Sequence, residues 1–221
     1  MAFTIIDCEQ RTPVWHQARS GRVTSTAAAD MLSVLKSGGG ETAGRRNLRM
    51  RLALERITGK PQEPDFVSAA MQQGIEREAD AIAAFEAMTG ELVGRVGFLA
   101  HTDLLAGASL DGYIGDTMAP DVIVEAKSPI PATHWEYLST GKVPLHYYRQ
   151  AVHSLWLTGA QACLWFSFQP DFPDPLRVKF VRIDRDETEM ATYELQLVRF
   201  LREVDDLYQQ MANLAKAQQE G

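Results

Sequence analysis

The sequence predicts a mixed α/β or α+β fold, a central mixed sheet flanked by helices, and three observations lead there. Helical apolar periods stand at both ends of the chain. A block of short extended runs lies between them. Neither an internal repeat nor a long linker interrupts the order. The chain is therefore read as one domain, 1–221, with a helical basic region over about 1–60 and a long helix over about 187–217.

Each element has its own signal. Pro13 opens a short helix, because proline suits the first helical position. Thr24 or Ser25 is placed to cap a second helix running through Leu35. Residues 36–44, KSGGGETAG, make a glycine-rich loop, and Arg45 to Ile57 returns to a helical period. Ser68 caps the next helix, where Ile75, Ala79, Ile82 and Phe85 form one buried stripe that Gly90 ends. Extended runs follow near 91–100, 104–115 and 121–127. Pro144 opens a helix to Leu157. ACLWFSF (162–168) and LRVKFVRI (176–183) read as strands, and an acidic amphipathic helix fills 187–217.

Composition narrows the class. Hydrophobic residues make up 45% of the chain and charged residues 23%, which suits a globular domain with a well-buried core. No apolar run approaches the ~18 residues of a membrane span. The start, MAFTIIDCEQRT, carries acidic residues and no basic stretch, unlike a secretory signal, so a cytoplasmic location is expected. Cys8 and Cys163 stand far apart, which argues against a disulfide framework and against a zinc or iron–sulfur site. The net charge of −7 hides an asymmetry: residues 1–60 hold ten Lys/Arg against five Asp/Glu. The pattern fits a polyanion-binding face on an acidic body, and equally a solvated helix face.

The chemistry concentrates in DVIVEAKSP (121–129). It reads as a buried strand, yet Glu125 and Lys127 interrupt it. Side chains alternate along a strand, so Ile123, Glu125 and Lys127 point one way. Upstream, in GASLDGYIGD, Ser109, Asp111 and Tyr113 are expected to share one face. An aspartate, a glutamate and a lysine converging at a sheet edge suit metal-assisted phosphodiester hydrolysis. Carboxylate oxygens hold magnesium, and the ammonium orients the attacking water or stabilises developing charge. The acid-x-Lys spacing is weak by itself; its weight comes from charge inside a buried strand, for which a structural ion pair is the competing explanation. Glu78, three residues after Ile75 and four before Ile82, projects beside the buried stripe. Gln150, on the helix from Pro144, is placed to hydrogen-bond the nucleophilic water or Lys127.

These motifs resemble a known family. Asp111 followed by Glu125-Ala126-Lys127 resembles the PD-(D/E)xK nuclease signature, with Leu110 where that signature has proline. The resemblance is closer to the lambda-exonuclease type of viral recombination nuclease. It runs through WHQARSGRVTST (15–26), Gly74 to Glu78, SLDGY (109–113), VEAKSP (124–129), YYRQAVHSLWLTG (147–159) and VRIDRDE (181–187). It implies a restriction-endonuclease-like fold and 5′-to-3′ digestion of one strand of linear duplex DNA, leaving 3′ single-stranded overhangs for recombination. It also implies a homotrimeric ring around DNA, a single-strand annealing protein as partner, and a phage or prophage origin in a bacterial cytoplasm.

By position, Asp111, Glu125 and the Ala126 carbonyl would hold a pair of magnesium ions, with manganese as a substitute. Lys127 would be the catalytic lysine, with Glu78 acting at the metal site directly or through water and Gln150 in support. Arg19, Thr26 and Ser109 would hold a terminal 5′-phosphate. Arg45 would line the DNA, and Met71 would wedge apart the terminal base pair. Ser154 stands where helicase-linked relatives place a tyrosine.

Other features lead elsewhere. Gly39 to Gly44 before Arg45-Arg46 imitates a phosphate-binding loop, but the required lysine and Ser/Thr are missing. The five histidines show no ligand spacing, and Trp15, Trp135, Trp156 and Trp165 fit core packing. Two alternatives stay open: another PD-(D/E)xK endonuclease, and a catalytically silent clamp on DNA ends.

Overall fold

Two four-stranded sheets, each with its own helices, organise the chain. The computed structural model describes residues 3–35, 40–62 and 69–219, with the side chains of 69–71, 73 and 75 outside the description. Ser68, the side chain of Ile75 and the side chain of Met71 therefore lie outside the described residues. The chain divides into two compact units. The first draws on Met1–Glu63, Gly97–Ser109 and Glu187–Gly221, and the second on Pro64–Val96 and Leu110–Asp186.

In the first unit the sheet order is β1 (Phe3–Ile6), β3 (Phe98–His101), β4 (Ala106–Ala108), β2 (Val23–Thr24). β1 and β4 run antiparallel to β3, while β2 runs parallel to β4. Helix α1 (Pro13–Arg19) starts where expected: the Thr12 hydroxyl caps it by accepting from the Trp15 N–H. The helix expected from Thr24 or Ser25 to Leu35 is much shorter. A 3-10 turn (Ser25–Ala27) leads into the four-residue α2 (Ala28–Met31). The Thr24 hydroxyl bonds Thr26 instead of capping, and Val34 bridges to Glu41, which draws the backbone out of the helix after Leu32.

Helix α3 (Ala43–Thr58) begins two residues before the expected start because Thr42 caps it, accepting from the Arg45 N–H at 3.1 Å. Gly59, at φ 67°, ends it in the left-handed region that glycine tolerates. α3 packs on α7 (Glu187–Gln219), whose Met190, Tyr193, Leu197, Phe200, Leu201 and Val204 form a buried helical stripe. Glu55 is buried in this unit yet satisfied, accepting from the backbone N–H groups of Gly21 and Gln62 and from Arg51.

The second unit is built on the sheet β5 (Gly112–Asp116), β6 (Ala119–Lys127), β7 (Ala162–Phe168), β8 (Val178–Asp184). β6 and β7 run parallel in its centre, with antiparallel neighbours outside, so the sheet is mixed as expected. α4 (Ala69–Thr89) covers one face, where Ala81, Ile82 and Phe85 cluster with Val124, Ala126, Phe166 and Phe168. Ala79 is exposed, so the buried stripe differs from the expected one. Glu78, Ala81, Ile82 and Phe85 are spaced i, i+3, i+4, i+7, which puts half-buried Glu78 on the same helix face as the described part of the stripe.

The other sheet face meets α5 (Pro131–Thr140) and α6 (Leu145–Thr158). The sequence reading has no counterpart of α5. Buried His134 fixes it, with Nδ1 bonded to Ser167 Oγ and Nε2 to the Leu176 carbonyl, each at 2.7 Å. The extended run expected over 91–100 shrinks to β3. The run over 104–115 is two strands in two sheets, so the alternation expected to put Ser109, Asp111 and Tyr113 on one face is broken between Ala108 and Gly112.

Candidate active site

The end of β6 carries the charged cluster. Glu125 and Lys127 share a face, and their neighbours Val124 and Ala126 pack into the α4 core on the opposite face. Glu125 is only 3% exposed, and its Oε1 accepts a hydrogen bond from Lys127 Nζ. The same ammonium lies 3.6 Å from Asp111 Oδ2. Pairing of this kind is what lets a buried carboxylate and ammonium coexist in a strand.

Asp111 immediately precedes the first residue of β5. The last pair in the register is Gly112 with Val124, so nothing on β5 lies opposite Ala126. The Asp111 carboxylate finishes the edge instead: its Oδ2 accepts the Ala126 N–H at 2.9 Å. Within a strand the N–H and C=O of one residue point to the same neighbour. The Ala126 carbonyl therefore faces the edge on which Asp111 stands. Two carboxylates and a backbone carbonyl form an all-oxygen set of the kind that suits a hard divalent cation. Among the described residues no three His, Cys, Asp or Glu side chains meet at one point, so the side-chain donors here are Asp111 and Glu125.

The electrostatics match that set. Burial, and next the neighbouring Asp111 charge, push Glu125 up to about 7 against the opposing pull of Lys127. Glu78 adds to the same push, so its carboxylate acts on Glu125 from α4. A surplus of negative charge at a buried oxygen-rich edge is relieved by a cation. Burial pulls Lys127 down, but Glu125 and then Asp111 outweigh it and hold the ammonium charged.

Gln150 is half-buried on α6, three residues after Tyr147 and hence on the same helix face. That face meets the site, since the Tyr147 ring lies 5.1 Å below Lys127 Nζ. No hydrogen bond joins Gln150 to Lys127 among the described residues. Tyr147 is the residue that sequence reasoning missed. It lies inside the family-like block but received no role, although its spacing to Gln150 is a usable signal. Ser154 is buried, so its hydroxyl is turned away from any DNA.

The first unit holds the second cluster. Ser109 Oγ accepts from Trp15 Nε1 at 2.7 Å and from Arg19 Nη1 at 3.4 Å, which leaves its own proton available to a ligand. The Arg19 guanidinium stacks 4.0 Å over the Trp15 ring. β2 and β4 run parallel with Thr24 opposite Gly107, so Thr26 and Ser109, each two residues further on, leave the same end of the sheet. Thr26 is exposed there.

Arg45, expected to line the DNA, is paired within its own unit. Its guanidinium grips Glu203 through two hydrogen bonds of 2.7 and 2.9 Å, and its Nε donates to the Met31 carbonyl. Arg49 joins the same cluster, donating to Glu41 at 2.8 Å and to Glu203 at 3.1 Å. Part of the basic excess in 1–60 thus neutralises acids within its own unit. The hydrogen bond from Arg45 holds Glu203 below the usual carboxylate range. A depressed folded-state pKa contributes stability above the ordinary carboxylate range, and that stability is lost as pH falls through the folded value. Glu203→Gln is expected to cost about 1–3 kcal/mol at neutral pH. In urea unfolding its difference from wild type should shrink at acid pH, and an undiminished difference there would refute the assignment.

Comparison with known proteins identifies a family and similar structures. The family model of the YqaJ-like viral recombinase domain matches residues 14–161. An alkaline exonuclease from Laribacter hongkongensis, LHK-Exo, is 33% identical, with 93% of this chain and 99% of that chain covered and a TM-score of 0.82. The same enzyme in complex with dAMP matches at 32% identity, equal coverage of 93% and 99%, and a TM-score of 0.82. A phage-related exonuclease from Haemophilus somnus 129PT shares the fold at 14% identity, over 86% of this chain and 96% of that chain, with a TM-score of 0.67. No curated protein matches the chain.

Proposed function

The chain belongs to the YqaJ-like viral recombinase family, and from that premise we propose that it is a magnesium-dependent exonuclease. It removes one strand of linear duplex DNA in the 5′-to-3′ direction and leaves 3′ overhangs for recombination. The observation that carries the reading is the β6 edge, where Asp111 replaces a missing strand partner and turns two carboxylates and the Ala126 carbonyl toward one place.

Asp111, Glu125 and the Ala126 carbonyl would hold magnesium, and the donor set fits it. A bound ion supplies positive charge against the scissile phosphate and makes a water acidic enough to attack near neutral pH. Lys127 places its ammonium beside the same phosphate, where it stabilises the charge that develops on the oxygens. Glu78 would act at the metal site directly or through water, consistent with its electrostatic effect on Glu125. Gln150 would orient the attacking water from the α6 face. Arg19, Ser109 and Thr26 would bind the terminal 5′-phosphate, which supports the 5′ polarity.

The direct test uses linear duplex labelled at either end of one strand, with a circular duplex alongside, in magnesium and in chelator. Early release of the 5′ label from linear DNA alone, and only with magnesium, is the expected outcome. Cleavage of the circle would favour an endonuclease, and 3′ release would reverse the polarity.

A closed trimer, a single-strand annealing partner and action in a bacterial cytoplasm belong to the same proposal and rest on the family resemblance. No helix among the described residues is long and apolar enough to cross a membrane. Light scattering should give about three times the chain mass of 24.6 kDa, and the mass of a single chain at working concentrations would reject the ring.

A further inference from the structure

We propose that Tyr147 is a positioning residue for Lys127, its ring face holding the lysine ammonium in place once a cation engages Asp111 and Glu125. The inference rests on the nuclease reading for its catalytic consequence, but not for its geometry.

Lysine ends a four-carbon stem with several freely rotating bonds, so a catalytic ammonium needs fixing from more than one side. Lys127 is fixed on one side by Glu125 and Asp111. Those carboxylates are also the side-chain donors available to a metal ion. When they serve a cation, their hold on the ammonium weakens at the moment Lys127 must face a phosphate. The remaining support is the Tyr147 ring, whose centroid lies 5.1 Å from Nζ. That falls within the reach of about 6 Å over which a ring quadrupole attracts a cation.

The ring is held in turn. It lies 6.1 Å from the Trp165 ring at 35°, and Tyr137 meets Trp165 edge-on at 5.3 Å. A hydrogen bond joins Tyr137 to Tyr147, and burial and then Tyr147 push the Tyr137 phenol up to about 12, so Tyr137 stays neutral. Trp165 is fully buried and pairs with Glu125 in the β6–β7 register. The support under Lys127 is therefore part of the same sheet that carries the carboxylates. An aromatic ring face suits this place because it attracts the ammonium without competing for the metal.

The test reads Lys127 directly. The folded protein is reductively methylated with and without calcium, a hard cation that occupies carboxylate sites, and the rate at Lys127 is followed by mass spectrometry. In wild type, calcium should leave that rate within about twofold, because the ring keeps the ammonium engaged. In Tyr147→Leu, calcium should raise it roughly threefold to thirtyfold, with a matching fall in kcat in magnesium and KM for duplex little changed. Tyr147→Phe keeps the ring and should restore both properties. Tyr147→Met, a longer and more adaptable apolar residue without a ring, substitutes for the leucine variant if that variant melts early.

Unchanged Lys127 reactivity in both ring-less variants would overturn the inference. So would a phenylalanine variant as damaged as the leucine one, since the hydroxyl would then be the working part. The methylation readout needs no cleavage, so it separates failure of this inference from failure of the nuclease reading.

Discussion

Asp111→Asn is expected to lower DNA cleavage by roughly 10²–10⁴-fold while the fold and duplex binding survive, a loss on the scale of the several kcal/mol a metal site supplies. The structure explains why asparagine is the informative change. Asp111 has two duties, closing the sheet edge by accepting the Ala126 N–H and carrying negative charge beside Lys127. The asparagine side-chain oxygen can still accept that hydrogen bond, so only the charge is lost. Alanine would also strand a backbone N–H and confuse chemistry with stability. Lys127→Ala should cost about 10²–10³-fold in kcat, as for removal of one donor from a charged transition state. Cleavage rate, duplex affinity and melting temperature are measured together. Near-normal cleavage by a folded Asp111→Asn protein would remove the site from β6 altogether.

The second large effect concerns the end of the DNA. Wild type should digest 5′-phosphorylated linear duplex faster than the 5′-hydroxyl form, and Arg19→Ala should lose most of that preference. A charge-assisted contact from a guanidinium to a phosphate contributes about 1.5–3 kcal/mol, which corresponds to roughly one to two decades in rate. The variant isolates this contact well. Ser109 keeps its hydrogen bond from Trp15 Nε1 when Arg19 is shortened, so its hydroxyl stays oriented. The rate on the hydroxyl substrate should change little. Full phosphate preference in Arg19→Ala would assign end reading to another residue.

Much of the site was legible because it breaks a local rule. A run of β-branched and apolar residues with a glutamate and a lysine two apart is costly unless the charges are paired, and that cost made 121–129 conspicuous before any fold was known. The partners were harder to see. Glu78 looked like a neighbour of the buried stripe because Ala79 was counted into it. The stripe turns out to run through Ala81, and half-buried Glu78 lies one turn before it on the same face. Tyr147 carries no charge, so nothing local marks it, and its role depends on a strand twenty residues upstream. α5 escaped because no strong periodic signal marks residues 131–140. What fixes that helix is His134 bonded to Ser167 and Leu176, more than thirty residues away in the chain. The pairing of Arg45 was hidden for the same reason: a count of charges cannot see a partner 158 residues further on.

The arginine–glutamate cluster of α3 and α7 also bears on how tightly salt should govern DNA binding. A cation contributes to the ionic-strength dependence of binding only by displacing a counterion from the DNA, and the slope of log affinity against log salt counts such displacements. Arg45 and Arg49 are already neutralised by Glu41 and Glu203, so neither has an uncompensated charge to exchange for a condensed ion. The slope for this protein should therefore fall short of a tally of its N-terminal basic residues. Titration of duplex binding against sodium chloride would return the number of phosphates actually neutralised. That number would also mark how much of the basic region serves the polymer and how much serves the protein itself.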